Sequence, residues 1–274
     1  MSSKFFEAQR FEGNHFSTTR ESVVEEGALQ IVVNGKPFTI TMRTPGADVH
    51  LVPGILFSEG LVETPVDIVS LREESNKDGM TVWSAELTSV SQADKKIVNR
   101  SLASTSSCGM CGKSEWDAPP DCVEIVGTDG RPPTLFQRDL LPACFKAMST
   151  HQNLFGKTGG SHAAAIFSAN GELLAFGEDV GRHNAVDKAI GDLWLKNDLG
   201  KAILLCVSGR VSYEIAAKAR RAGLAILAAV SAPSSMAVEF CRTEDITLLG
   251  FCRGERATAY SHPERLIALE EIKV

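Results

Sequence analysis

Apolar and polar residues alternate through ALQIVVNGKPFTITMRT, Ala28 to Thr44, with Asn34-Gly35 in the middle. That pair favours the tight turn whose twist matches paired strands, so the stretch predicts a β-hairpin. GADVHLVPGILFSEGLV follows with apolar residues at helical spacing, and Pro53-Gly54 inside it predicts a kink or break. A strand is expected from Met80 to Leu87. Then the pattern stops. NRSLASTSSCGMCGKSEWDAPPD is polar, rich in Ser and Gly, and closes on Pro119-Pro120, which reads as a loop.

Beyond the loop the periods alternate. Leu135 to Asn153 reads as a helix, and SHAAAIFSANGELLAFG as a hairpin turning at Asn170-Gly171. Arg182 to Asn197 is helical, KAILLCVSG a buried strand, and Tyr213 to Gly223 a helix that the glycine stops. LAILAAVSA is another buried strand. SSMAVEFCR opens with serines able to cap a helix, and ITLLGFCRG and RATAYS close the pattern. Continuous apolar strands between helices predict an α/β sheet covered on both faces.

Composition narrows the class. With 274 residues, 43% hydrophobic and 23% charged, the chain fits one large or two small soluble domains with a core that needs no disulfides. A net charge of -6 argues against bulk nucleic-acid binding and leaves room only for a local basic pocket. The opening MSSKFFEAQRFEGNH has no secretory core, and the longest strongly apolar stretch, Gly223 to Val230, is far short of the roughly 20 residues that cross a bilayer. Seven scattered cysteines, an odd number, predict reduced thiols in the cytoplasm.

The candidate chemistry sits in SSCGMCGKS, where Cys108 and Cys111 form a CxxC pair. A structural zinc site wants a second close pair, and none is present: Cys122, Cys144, Cys206, Cys241 and Cys252 are isolated, and His151 and His162 are not closely spaced. A thioredoxin-like pair would begin a long helix, but flanking serines, glycines and prolines oppose one. A persulfide carrier needs an accessible thiolate on a tether, which Ser101 to Ser107, Gly109 and Gly112 suit. The plain alternative is a chance pair in a surface loop.

Other segments carry weaker signals. Gly156-Lys157-Thr158 imitates the tail of a P-loop, but His151 stands where the first glycine belongs and a helix precedes it, so a Walker motif is rejected. GEDVGRHNAVDKAIG gathers Glu178, Asp179, Arg182, His183, Asn184 and Asp187 at a helix start, either as caps or as site material. Arg253, Gly254 and Arg256 after an apolar strand make a plain turn or an anion site, and Ser208-Gly209-Arg210 sits at a strand's carboxyl end, where α/β sheets bind ligands.

Together these segments resemble the formate dehydrogenase accessory sulfurtransferase family, FdhD. The matching stretches are MRTPG with GILFSEGL, SSCGMCG, GGSHAAA, GEDVGRHNAVDKAIG, VSGRVSYE, VSAPSS and GFCRGERATAYSHPERL, in order over most of the chain. The resemblance implies a cytoplasmic sulfurtransferase and homodimer. It would accept sulfur as a persulfide from a cysteine desulfurase and pass it to the molybdenum or tungsten of the bis(molybdopterin guanine dinucleotide) cofactor, which formate dehydrogenase needs. It makes Cys108 the persulfide residue and Cys111 the second of the pair. It places cofactor contacts on Phe251, Cys252, Arg253, Gly254, Glu255 and Arg256, with Arg210 and Arg182 as further candidates. No permanently bound metal is expected.

The family is also similar to cytidine deaminases in fold. This implies an α/β, deaminase-like C-terminal domain over 122–274, a smaller N-terminal α+β domain over 1–102, and a CxxC loop over 103–121. Zinc deaminases need H-x-E and P-C-x-x-C. The nearest counterparts, His162-Ala163-Ala164 and Pro233-Ser234-Ser235-Met236, lack the glutamate and both cysteines, so deamination is not expected. The competing functions are a non-catalytic cofactor chaperone, for which Cys108 would not matter, and a dithiol oxidoreductase.

Overall fold

The computed structural model describes residues 2–74, 79–88 and 135–268. Cys108, Cys111 and the 103–121 loop lie outside the described residues.

The hairpin at Asn34-Gly35 forms as β3 (Gly27–Val33) and β4 (Lys36–Arg43), with both turn residues at positive φ, 49° and 74°. With β5 (Ile68–Glu74) and β6 (Thr81–Leu87) they make a four-stranded sheet, ordered β4-β3-β6-β5. Strands β3 and β6 run parallel, and helix α1 (Asp48–Ser58) lies in the connection between them. The break expected at Pro53-Gly54 does not occur: α1 continues through both residues. Gly54 serves packing instead. A Cβ there would lie 2.0 Å from the backbone oxygen of Asp187, so only glycine permits this approach.

The first residues hold an element that the apolar pattern did not suggest. Strands β1 (Ser3–Glu12) and β2 (His15–Val24) form a separate two-stranded ribbon.

The larger sheet has six strands, β8 (His162–Phe167), β9 (Leu173–Asp179), β10 (Leu204–Val207), β11 (Ile226–Ala229), β12 (Thr247–Arg253) and β13 (Arg256–Ser261). Their order is β13-β12-β11-β10-β8-β9. The pairs β10–β11 and β11–β12 are parallel and the rest antiparallel. At Asn170-Gly171 only Gly171 has positive φ, and a register shift between Ile166 and Phe167 absorbs the longer turn. The helix expected from Leu135 starts later. Phe136–Gln137 (β7) pairs in parallel with Leu266–Ile267 (β14), and α2 (Leu141–His151) begins with Pro142 in its first turn, where a missing N–H costs nothing. Short α3 (Asn153–Thr158) follows, then α4 (Arg182–Leu195), α5 (Tyr213–Arg221) and α6 (Ser235–Thr243).

Both faces of this sheet are buried, which explains the unbroken apolar runs. Leu205 and Val207 of β10 join one core with Leu227 and Ala229 of β11, Ile190 of α4, Ile215 of α5 and Ala237 of α6. Leu204 and Cys206 join another on the opposite face with Phe136, Leu141, Cys144 and Met148. The first core continues through α1 to Leu29, Ile31 and Trp83 of the four-stranded sheet. The chain is therefore an α/β protein with a larger mixed sheet and a smaller N-terminal one. No helix among the described residues is long and apolar enough to cross a membrane.

Candidate functional site

The candidate ligand residues meet at one edge of the large sheet. Strands β10, β11 and β12 are parallel, so their carboxyl ends share that edge. Strand β8 runs the other way, which brings its first residue, His162, to the same edge, opposite Asp179 at the end of β9. Backbone hydrogen bonds lace the loops there: Ser208 N donates to Ala163 O, Val211 N to Ala232 O, Ser234 N to Val211 O, and Phe251 N to Ser231 O. Gly209 packs close, because a Cβ on it would lie 3.4 Å from His162 Nδ1 and 3.7 Å from Arg182 Cβ. Thus the Ser208-Gly209-Arg210 turn and the start of α4 are neighbours, although 27 residues separate Arg182 from Gly209 in the chain. The Arg210 side chain is exposed.

At the end of β12 the register with β13 shifts between Gly250 and Arg253, and Phe251 sits at φ 54°. This bulge separates the candidate contacts by direction. The Phe251 ring is 41% exposed, whereas Cys252 is 5% exposed and packs into the second core. Burial pushes the Cys252 thiol up to about 11. The turn therefore presents the Cys252 backbone, not its sulfur, on its outer side. Gly254 completes the turn at φ 57°, with open space around it. Arg253, Glu255 and Arg256 are exposed, and the two arginines face each other across the turn.

The GEDVGRHN segment turns out to be both frame and candidate site. Asp179 is fully buried and forms an ion pair with Lys188 at 2.7 Å. Its carboxylate also accepts hydrogen bonds from Thr44 N, Gly181 N and Asn184 Nδ2. Lys188 donates to Thr44 O and Glu178 O, and Asn184 donates to Met42 O. Those contacts leave Asp179 no part in binding; they hold the loop that presents Arg182. Glu178 is also structural, since it accepts from Leu154 N and Phe155 N at the start of α3 and from Ser161 Oγ.

His183 is buried beside this frame, and its Nε2 lies 3.1 Å from Ser212 Oγ, at the start of α5. Desolvation, aided by the Lys218, Arg182 and His162 charges, lowers its pKa to about 3, so the ring is neutral at pH 7. Desolvation and Arg182 also lower the pKa of His162, against the pull of Asp179. Behind them Asp187 is buried between Lys218 Nζ, at 2.6 Å, and Ser58 Oγ, at 2.7 Å. Ser212 and Lys218 did not stand out in the sequence. The only signal for Ser212 was position, since VSGRVSYE ends a strand and begins a helix as FGEDVGRHN does; Lys218, further along that helix, carried none.

The counterparts proposed for deaminase ligands have other work. His162 opens a strand, and Ser234 Oγ caps α6 by accepting from Ala237 N. Among the described residues, no group of three or more His, Cys, Asp or Glu is placed to hold a metal ion.

Comparison with known proteins agrees over most of the chain. The FdhD/NarQ family model matches residues 24–267. The sulfur carrier protein FdhD of Mycobacterium tuberculosis is 40% identical over 259 residues, covering 91% of this chain and 93% of the relative. Its namesake in Sulfolobus acidocaldarius is 37% identical over 251 residues, again covering 91% and 93%. A crystal structure from Desulfotalea psychrophila, of a protein assigned as a formate dehydrogenase accessory protein, superposes with a TM-score of 0.74. That match covers 97% of this chain and 100% of the other at 20% identity, so it speaks for the fold.

Proposed function

Because this chain belongs to the FdhD/NarQ family, we propose that it is a cytoplasmic, homodimeric sulfur carrier that matures formate dehydrogenase. The Cys108 thiolate attacks the outer sulfur of a persulfide on a cysteine desulfurase. The new S–S bond forms on Cys108, and the desulfurase thiolate leaves. The Cys111 thiolate then attacks Cys108 Sγ. A Cys108–Cys111 disulfide forms, and the outer sulfur departs with the bonding pair and one proton as hydrosulfide. Hydrosulfide replaces an oxo ligand on the molybdenum of bis(molybdopterin guanine dinucleotide), and with a further proton the oxygen leaves as water. A cellular dithiol reductant supplies the two electrons and two protons that restore the cysteines.

The observation that carries the acceptor half is the arginine pair of the β12–β13 turn. Like charges directly opposite across a hairpin are destabilising. Arg253 and Arg256 nevertheless face each other. A phosphate between the two guanidinium forks reverses that sign. The exposed Phe251 ring offers a face on which a guanine can stack. Gly254, Glu255 and the Cys252 backbone line the same turn, and Arg210 and Arg182 lie at the same sheet edge for a further phosphate.

The deaminase-like reading of 122–274 belongs to this proposal. A hairpin leading into three parallel strands supports it, and the absent H-x-E and P-C-x-x-C residues separate this site from deamination chemistry.

Calorimetry with GDP tests the turn. Losing a charged hydrogen bond costs about 1.5–3 kcal/mol, so Arg253→Ala or Arg256→Ala should weaken binding roughly 10- to 150-fold. Persulfidation of Cys108, read by intact mass after incubation with a desulfurase and cysteine, should be unchanged. GDP affinity unaltered in both variants would move the nucleotide to Arg210 and Arg182. Full dehydrogenase activation by Cys108→Ser would overturn the carrier reading in favour of a chaperone.

A further inference from the structure

The β1–β2 ribbon is the largest part of the described fold without a core. Among the described residues, its ten-residue strands pair only with each other, and their main packing on the body is at the root, where β2 meets α3. Ten residues at strand rise make an arm of about 33 Å. An isolated two-stranded ribbon is marginal in water unless a hydrophobic face is covered. This one exposes Phe5, Phe6, Phe11 and Phe16 by 61%, 54%, 68% and 67%.

The register shows how those rings are distributed. On one face the cross-strand pairs, from root to tip, are Phe5–Ser22, Glu7–Arg20, Gln9–Thr18 and Phe11–Phe16. The face is apolar at both ends and polar in the middle. Arg20 stacks over Phe5 at 4.6 Å, and the Phe11 and Phe16 ring centroids are 5.9 Å apart at the tip. The opposite face carries Phe6 and Val23, 54% and 43% exposed, with the exposed Arg10–Glu21 ion pair between them and the tip, and is the less apolar of the two. The arm has three Lys or Arg (Lys4, Arg10, Arg20) and three Glu (Glu7, Glu12, Glu21), so it is neutral on a chain of net charge -6. It therefore offers no charge by which to attract a nucleic acid or an anionic lipid surface, and no charge by which to repel its own copy.

We propose that this face is the contact between two copies of the chain, with the arms stacked antiparallel about a two-fold axis. That operation puts the Phe11–Phe16 tip of one arm on the partner's Phe5. It also sets each charged Glu7–Arg20 rung on a neutral Gln9–Thr18 rung, so no like charges meet. The same patch serves both copies, as a two-fold interface requires. A buried Phe contributes roughly 150–250 Å². At their present exposure the three rings of each arm bring about 800 Å² to the pair, and the interleaved polar side chains carry the total toward the roughly 1,200–2,000 Å² of a specific interface. The proposal rests on the homodimer of the preceding section but not on its sulfur chemistry.

Sedimentation of the full chain at micromolar concentration tests it. The wild type is expected to be a dimer. Phe5→Glu or Phe11→Lys alone should each raise the dimer dissociation constant at least about 30-fold, with an unchanged far-UV spectrum. In the double variant Phe5→Glu/Phe11→Lys the two-fold, which lays β1 over the partner's β1, places the new carboxylate against the partner's new ammonium, so dimerisation should recover. A monomeric wild type would overturn both the homodimer and this interface. A dimeric wild type whose single variants stay dimeric would overturn the interface alone. Loss in the singles without recovery in the double would overturn the antiparallel pairing.

Discussion

Two helical glycines should respond to alanine with opposite signs. Gly191 lies in α4 where α1 crosses it, and a Cβ there would sit 2.0 Å from His50 O, 2.8 Å from Gly54 N and 3.0 Å from Gly54 Cα. Ordinary Cβ contacts begin near 3.4 Å, so the two backbones must separate by more than 1 Å. No rotamer can absorb that shift, because all three obstructing atoms are main chain. Alanine gains about 1 kcal/mol of helix propensity over glycine. Against this, opening a packed interface by a fraction of an ångström to one ångström forfeits a quarter to a half of each contact's attraction, and overpacking costs about 1–3 kcal/mol or more. With an all-backbone clash at the top of the overpacking range, about 3 kcal/mol or more, less about 1 kcal/mol of propensity, Gly191→Ala should lose about 2 kcal/mol or more. Gly156→Ala, in exposed α3 with nothing within 4 Å of its Cβ, should gain up to about 1 kcal/mol. Urea denaturation at constant m-value is the assay. Gly54→Ala opens the same crossing from the other side, so the double variant with Gly191→Ala should cost less than the two singles added. A Gly191→Ala protein as stable as wild type would refute the close-crossing argument.

Three further outcomes follow from buried charges and thiols. Lys188→Met leaves the Asp179 carboxylate buried without its cation and should cost about 3–5 kcal/mol in urea denaturation. Burial pushes Cys144 and Cys252 up to about 11, Cys241 up to about 12 and Cys206 well above its ordinary range; peptide mapping after brief alkylation at pH 8 should leave these four unmodified in native protein and modify them in urea. Because the His183 pKa is depressed from 6.5 to about 3, the unfolded chain takes up its proton first as pH falls, and stability drops by about 1.4 kcal/mol per unit within that window. His183→Gln should flatten the slope by that amount, and an unaltered pH profile would show that the ring does not remain neutral.

The sequence was most legible where one local rule acted alone. Asn34-Gly35 forms the predicted turn, and the bonds Asn34 makes to β6, from its N to Ala85 O and from Leu87 N to its Oδ1, agree with that turn rather than compete with it. LLCV and ILAA read as buried strands because both sheet faces are covered. Local reading failed where tertiary contact decided the outcome. Pro53-Gly54 looks like a helix break, yet the carbonyl of Asp187 determines what residue 54 can be. The β1–β2 ribbon escaped notice because its phenylalanines are exposed, so no apolar stripe distinguishes an inside. Cys252 was singled out among ligand residues, but a bulge beginning at Gly250 turns its sulfur into the core. The edge site itself was only half legible. Arg182 and Arg210 each stand at a strand or helix end, but antiparallel β8, lying between β9 and β10, is what brings the Gly209 turn against Arg182.

The small N-terminal sheet acquires a role from the same contacts. The end of β4 and the residue after it form a template for the loop before α4. Asp179 accepts from Thr44 N, Lys188 donates to Thr44 O, Val180 N donates to Thr44 Oγ1, and Asn184 donates to Met42 O. Each bond fixes a residue within three positions of Arg182 or, at Lys188, a turn and a half further along its helix. The Gly54–Gly191 crossing then sets the distance from which α1 supports α4. A local hydrogen-bonded turn could hold such a loop only loosely, since its backbone groups can exchange partners with water. Anchoring it to a strand that is itself paired along its length removes that freedom. The position of Arg182 at the sheet edge is thus decided 140 residues earlier in the chain, which explains why GEDVGRHNAVDK and MRTPG must be read together.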